Sequence, residues 1–373
     1  MNYTNRFHEL NSIFNMGVNT NLTHSLIDIN WYSFQSNFNA SEKISFTDNV
    51  FSDMVPENKN FIYPVFVPRN IKKSSKAILL VHGLNERSWN KYLTWAEYLC
   101  ENTGKAVILF PLAFHINRSP VTWSNPRLVR NAFDMRQQIY GEDRTLSFAN
   151  LALSERITQN PYRFYNSGLQ SISDLVQLLT GIKKAYHPLF EADTHFDVFA
   201  YSIGALLSQV VFLANPNSLF ADSKLFMFCG GSVFSAMVGK TRLIMDKVAF
   251  EKLLAYYSEE FLQQSGKIDD NEQFRNSFYS MISPHNFQSE RQNFFKKLAG
   301  KLSGISLKQD KVIPYEGVIQ ALGTDTTSRQ IQLLDFNYEY CHENPFPVSN
   351  PLNQTEVNQA FETVFSSAAE FLK

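Results

Sequence analysis

The sequence predicts an α/β protein, a mostly parallel sheet with helices on both faces and two insertions forming a cap. Three observations carry that prediction. From about residue 60 onward, short apolar runs of strand length alternate with helical patterns, as buried parallel strands and their crossover helices do. The stretch Asp197 to Phe212 turns from a strand pattern into a helical one across a single residue, Ser202. Two long segments, about 112–165 and 232–300, break the alternation where a connection should be short.

Residues 1–55 are polar and Asn-rich with weak periodicity, and are expected to form an N-terminal extension of a main domain at 56–373. Phe61 onward alternates, and Pro64 and Pro68 suggest a short antiparallel edge strand. Lys76 to Val81 is a buried strand ending in His82-Gly83-Leu84-Asn85, followed by a helix with Trp89, Tyr92, Leu93, Ala96 and Leu99 on one face and Gly104 as its stop. Ala106 to Phe110 is the next strand. After the first insertion, Gly168 to Tyr186 is an amphipathic helix leading into the strand before Ser202. Leu225 to Cys229 is a further strand. The second insertion carries helical patterns at Val248 to Phe261 and Glu290 to Lys301. Ser303 to Leu307 resumes the sheet, Tyr315 to Leu322 is helical, Gln330 to Tyr338 is a last strand, and Thr355 to Leu372 a terminal amphipathic helix.

Composition narrows the function classes. Among 373 residues, 44% hydrophobic and 18% charged describe a soluble globular chain, and 33 Phe with 16 Tyr suit an aromatic pocket or a bulky core. A net charge of -1 gives no electrostatic case for nucleic acid or an anionic membrane. Cys100, Cys229 and Cys341 have no metal spacing and cannot form a disulfide framework, so no metal or other cofactor is expected. No stretch is long and apolar enough to span a membrane, and the first residues lack the pattern of a secretion signal, so a cytoplasmic location is expected. Oligomeric state has no sequence signal.

The turn at Ser202 carries the chemistry. A strand that becomes a helix across one residue exposes that residue on a sharp, strained bend. It also brings strand and helix backbones close, so the positions two before and two after must be small; here they are Ala200 and Gly204. A serine hydroxyl is a poor nucleophile unless a base takes its proton, and the base needs a carboxylate to orient it. In a doubly wound sheet such groups come from loops at the carboxyl ends of strands. Asp310 follows one strand and His342 follows the last, which gives the chain order Ser202, Asp310, His342. His115 and His285 are rival bases and Asp335 a rival acid, although Asp335 falls inside the last strand pattern. His8, His24, His187 and His195 are expected in solvent. Gly239-Lys240-Thr241 looks like the end of a phosphate-binding loop but lacks its leading glycine.

Over roughly residues 60–373 the sequence resembles the α/β-hydrolase superfamily, through Ala-Tyr-Ser-Ile-Gly at 200–204, the Ser–Asp–His order and the strand–helix alternation. It looks closest to uncharacterised bacterial members. The resemblance implies that Ser202 attacks a carbonyl, that His342 is general base and then acid, and that Asp310 stabilises the imidazolium. His82-Gly83 matches the His-Gly after the third strand, which implies an oxyanion hole from the backbone N–H groups of Leu84 and Ile203. His82, Gly83 and Tyr201 flank these turns and are expected near substrate. His115, Arg118 and Trp123 cluster at the mouth of the first insertion, where Arg118 could meet an anionic group or be salt-bridged within the insertion. The expected activity is hydrolysis of a small-molecule carboxylic ester. An amidase or peptidase with the same three residues and a silent binding protein of the same fold are the alternatives.

Overall fold

In β4 (Ser74–Val81) successive side chains point to opposite faces, and both faces are buried from Ala77 to Val81. Ala77, Leu79 and Val81 enter one core; Ile78 and Leu80 enter another. β6 (Phe190–Tyr201) repeats this, with Val198 and Ala200 on the first side and Phe199 and Tyr201 on the second. Strands apolar on both faces need helices on both. The first side is covered by helices Tyr162–Lys183 and Ile203–Ala214, the second by Tyr3–Ile13, Asn90–Thr103 and Gln354–Leu372.

This arrangement comes from a computed structural model, which describes residues 1–39, 51–69, 71–263, 272–349 and 351–373. The described residues form one nine-stranded sheet, in the order β1 (Thr20–Asn21), β2 (Ile27–Gln35), β3 (Asn60–Pro68), β5 (Ala106–Leu109), β4, β6, β7 (Leu225–Phe228), β8 (Leu302–Leu307), β9 (Ile331–Leu334). All pairings from β5 to β9 are parallel, and those joining β1, β2, β3 and β5 are antiparallel. This is the α/β-hydrolase fold. The strand order reverses at β4, which lies between β5 and β6, so the loops leaving β4 and β6 open a crevice at the sheet's carboxyl edge.

Three elements differ from the sequence reading. β3 is not an edge strand, because β2 pairs with it from Gln35↔Asn60 to Ile27↔Pro68. The segment expected as an extension thus adds β1 and β2 to the sheet, and its helix Tyr3–Ile13 packs beside Asn90–Thr103, where Arg6 Nε meets the buried carboxylate of Glu97 at 2.7 Å. Its sequence signal was weak because β2 is buried at only Ile27 and Ile29. Part of residues 1–55, namely 40–50, lies outside the described residues. The last strand stops at Leu334, leaving Asp335 beyond its end, and His187 is buried against Tyr63 rather than solvated.

The two inserted segments are helical in part and pack on one another. The first contains Pro126–Tyr140 and Leu151–Gln159, the second Lys247–Ala255, Glu272–Ser280 and Gln288–Lys297. Arg136 joins them through a bidentate pair with buried Asp246, at 2.5 and 2.8 Å. A helper bond runs from the Asp246 N–H to the Ser154 hydroxyl at 3.0 Å.

Candidate active site

Ser202 stands between β6 and the helix Ile203–Ala214 with φ 59° and ψ −125°, a conformation that L-residues rarely adopt. Such strain costs on the order of 1–3 kcal/mol and persists only where neighbours enforce it. They do so here through close approach. A Cβ on Gly204 would lie 2.5 Å from the Val81 carbonyl oxygen and 2.7 Å from that of His82. One on Gly230 would lie 2.5 Å from the Ala205 Cβ. The Ser202 N–H donates to Phe228 O at 3.2 Å, tying the bend to β7. Ala200, buried, shows that the earlier small position tolerates a methyl.

The Ser202 hydroxyl lies 2.6 Å from His342 Nε2, and His342 Nδ1 lies 2.7 Å from Asp310 Oδ2. All three side chains are buried. Asp310 Oδ1 accepts from the Val312 and Ile313 N–H groups at 2.9 and 2.8 Å, so the carboxylate is fixed at both oxygens. A carboxylate cannot donate, so Nδ1–H must donate to it; Nε2 is then left to accept the serine proton. Cys229 lies against Asp310, and burial pushes its thiol well above the usual range, so no second anion crowds the carboxylate. Asp335 and His285, the rivals, are elsewhere. Asp335 accepts from the Tyr340 hydroxyl at 2.9 Å and from Gln309 Nε2 at 3.0 Å, while His285 is exposed.

His342 hangs on a loop eight residues beyond β9, and side chains that the sequence reading did not single out brace it. The Gln309 N–H donates to the Tyr340 hydroxyl at 3.1 Å, which joins the His342 loop to the Asp310 loop. Lys91 Nζ donates to Glu343 O at 2.8 Å. Tyr201 was expected near substrate. Its ring instead stacks on the His342 imidazole at 5.6 Å and 13°, its hydroxyl donates to the His342 carbonyl, and it is buried away from the cavities below. The signal for these braces was the aromatic spacing around 338–342, which strand alternation concealed.

Three small cavities share Leu84 and Phe164 in their walls, and one of them touches Ser202. The chamber touching Ser202 has about 30 Å³ and is walled by Phe234, Met237, Ile244 and Met245 from the second insertion. An apolar chamber of about 80 Å³ lies across Ile203, between Leu206, Leu207 and Phe278. The third, of about 40 Å³, is lined by Arg87, His115, Trp123 and Arg156. The N–H groups of Leu84 and Ile203 have no hydrogen-bond partner among the described residues, so both remain available to an incoming oxygen.

The remaining candidates divide. His82 is fully buried: its Nδ1–H donates to Gly83 O at 2.8 Å and its Nε2 accepts from the Leu112 N–H at 2.9 Å. Burial pushes its pKa down to about 4, so it is neutral and holds two loops together rather than meeting substrate. The Gly83 N–H donates to the Tyr92 hydroxyl, and a Cβ there would crowd the Tyr201 ring at 3.2 Å. Arg118 is a correction. Its guanidinium is completely buried, paired with Asp174 at 2.7 Å and bonded to Pro111 O and Asn58 O, so it reaches no ligand. Trp123 is buried against Phe51 and Arg156. His115 reaches the cavities.

The whole chain, residues 1–373, matches the model of a family of unknown function, DUF6051. The protein belongs to that family. No curated protein matches it. Among solved structures it is similar to a bacterial heroin esterase, with 11% identity, 95% of this chain and 87% of that one covered, and a TM-score of 0.49. It is also similar to esterase Est22 with p-nitrophenol (12% identity, 100% and 87% covered, TM-score 0.48) and to a Pyrobaculum calidifontis esterase (10%, 91% and 85%, 0.44).

Proposed function

We propose that the protein is a serine hydrolase that cleaves a carboxylic ester through an acyl-enzyme. The observation that carries this reading is the continuous hydrogen-bonded chain from the Ser202 hydroxyl through His342 to Asp310, at 2.6 and 2.7 Å, on a strained turn. Ser202 Oγ attacks the ester carbonyl carbon as His342 Nε2 takes its proton, and Asp310 stabilises the imidazolium. The carbonyl oxygen becomes an oxyanion facing the free N–H groups of Leu84 and Ile203, a contact worth roughly 2.7–4 kcal/mol of barrier per donor. Collapse of the intermediate releases the alcohol, which takes the proton from His342. Water then enters and the same steps in reverse free the acid.

The apolar walls near Ser202 favour a partly apolar substrate, and the two packed insertions act as its cap. Ser202→Ala in the full chain should lower p-nitrophenyl ester turnover by roughly 10⁴-fold or more. Its melting temperature should stay nearly unchanged, because only one oxygen is lost. A fluorophosphonate probe should label the wild type at Ser202 and leave the variant unlabelled. Undiminished hydrolysis by Ser202→Ala, or a folded wild type that never labels, would remove the assignment.

A further inference from the structure

Arg87 is the charged group that the proposed reaction does not use. It lies three residues beyond Leu84 on the loop leaving β4, and it lines the third cavity with His115. Its Nε is buried without a hydrogen-bond partner, and it makes no ion pair among the described residues. Among the described residues its guanidinium makes one long contact, Nη2 to Ala149 O at 3.3 Å. Burying a cation without a carboxylate is costly, and the sequence elsewhere supplies one: Arg156 and Arg163, which line the same cavity, are held on Asp53 at 2.7 and 2.6 Å. His115 adds a second unsatisfied atom. Its Nδ1–H donates to Ala113 O at 2.8 Å, which leaves Nε2 a bare acceptor, also buried and unpartnered among the described residues. Burial pushes the His115 pKa down to about 3, in keeping with a neutral ring.

Resting on the hydrolase reading, we propose that this recess is a substrate subsite, in which Arg87 binds a carboxylate and His115 accepts from a neighbouring hydroxyl, so that the ester substrate carries a hydroxy-carboxylate arm. The reach is suitable. Three residues span at most about 11 Å, and Leu84 lines both this recess and the chamber touching Ser202. An ester carbonyl seated at the Leu84 N–H would need an arm of a few carbons to bring its carboxylate to the guanidinium. Arg donates in a planar fork that fits a carboxylate, and burial strengthens the pair. A bare imidazole acceptor favours an O–H beside that carboxylate over a second anionic oxygen, which it would repel.

The test compares three p-nitrophenyl esters on the full chain: butyrate, the succinate monoester and the hydroxysuccinate monoester. Wild type should favour succinate over butyrate at least tenfold in kcat/KM, and hydroxysuccinate further. Arg87→Gln should lower the succinate-to-butyrate ratio at least tenfold, with Arg87→Lys recovering part of it. His115→Phe should erase the gain from the hydroxyl alone. Ratios survive a general loss of folded enzyme, which lowers all three rates together. Calorimetry of methyl hydrogen succinate and methyl butyrate on Ser202→Ala, with and without Arg87→Gln, reads binding without turnover. Equal rates and equal binding for charged and neutral esters would overturn the subsite and leave the hydrolase. Arg87-dependent binding with no hydrolysis of any ester would overturn the hydrolase and keep the subsite.

Discussion

The loop after β4 and the loop after β5 each present an arginine and a histidine near the carboxyl edge of the sheet, and the pairs meet opposite fates. His82 and His115 have ring centroids 5.3 Å apart. Both nitrogens of His82 are bonded, whereas one of His115 has no partner among the described residues. Arg118 is locked on Asp174, whereas Arg87 has no carboxylate among the described residues. Residue type and position in the loop are thus poor guides to role. What separates a strut from a recognition group is whether the surrounding protein already satisfies its polar atoms.

This contrast predicts a division between stability and specificity. Arg118→Met should be the most damaging of these changes, costing about 3–5 kcal/mol, because it leaves the Asp174 carboxylate buried without its partner. Burial already raises the Asp174 pKa despite the arginine, and without it the carboxylate would keep, among the described residues, only the neutral Ser36 hydroxyl, which donates to Oδ1 at 2.5 Å. A denaturant midpoint close to wild type would show that Arg118 is not a strut. His82→Phe should cost less, about 1–3 kcal/mol, through an orphaned Leu112 N–H. It should also flatten the acid limb of the stability curve. Burial holds the His82 pKa near 4 in the fold, below the ordinary 6.5, so the unfolded chain binds the proton first. Its contribution is complete above about pH 6.5 and is lost as pH falls toward 4; melts across that window, with and without His82, would read the difference. Arg87→Gln should have the smallest effect on stability, within about 0.5 kcal/mol, since it breaks one long contact. A loss as large as that of Arg118→Met would erase the distinction between the two loops.

The turn at Ser202 offers a sharper case of the same principle. Gly204→Ala places a methyl 2.5 Å from the Val81 carbonyl, which cannot withdraw without moving β4. Ala200, two residues on the other side of Ser202, already carries a methyl. The two small positions were equivalent by spacing, and packing made them unequal.

From residue order alone, the α/β class, the parallel strands β4 to β9 and the helices between them were legible, because burial on both faces of a strand imposes continuous apolar runs and crossover helices impose their own period. So was the abrupt strand-to-helix change at Ser202, since that change of period occurs within a single residue. Tertiary structure decided the rest. It drew residues 20–35 into the sheet, through backbone pairing that leaves little trace in side-chain pattern. It made Tyr201 a brace for His342 and turned Arg118 inward onto Asp174. It also left Arg87 beside His115 in the open recess. A sequence lists donors and acceptors, but which of them remain unmatched depends on groups brought together from distant parts of the chain.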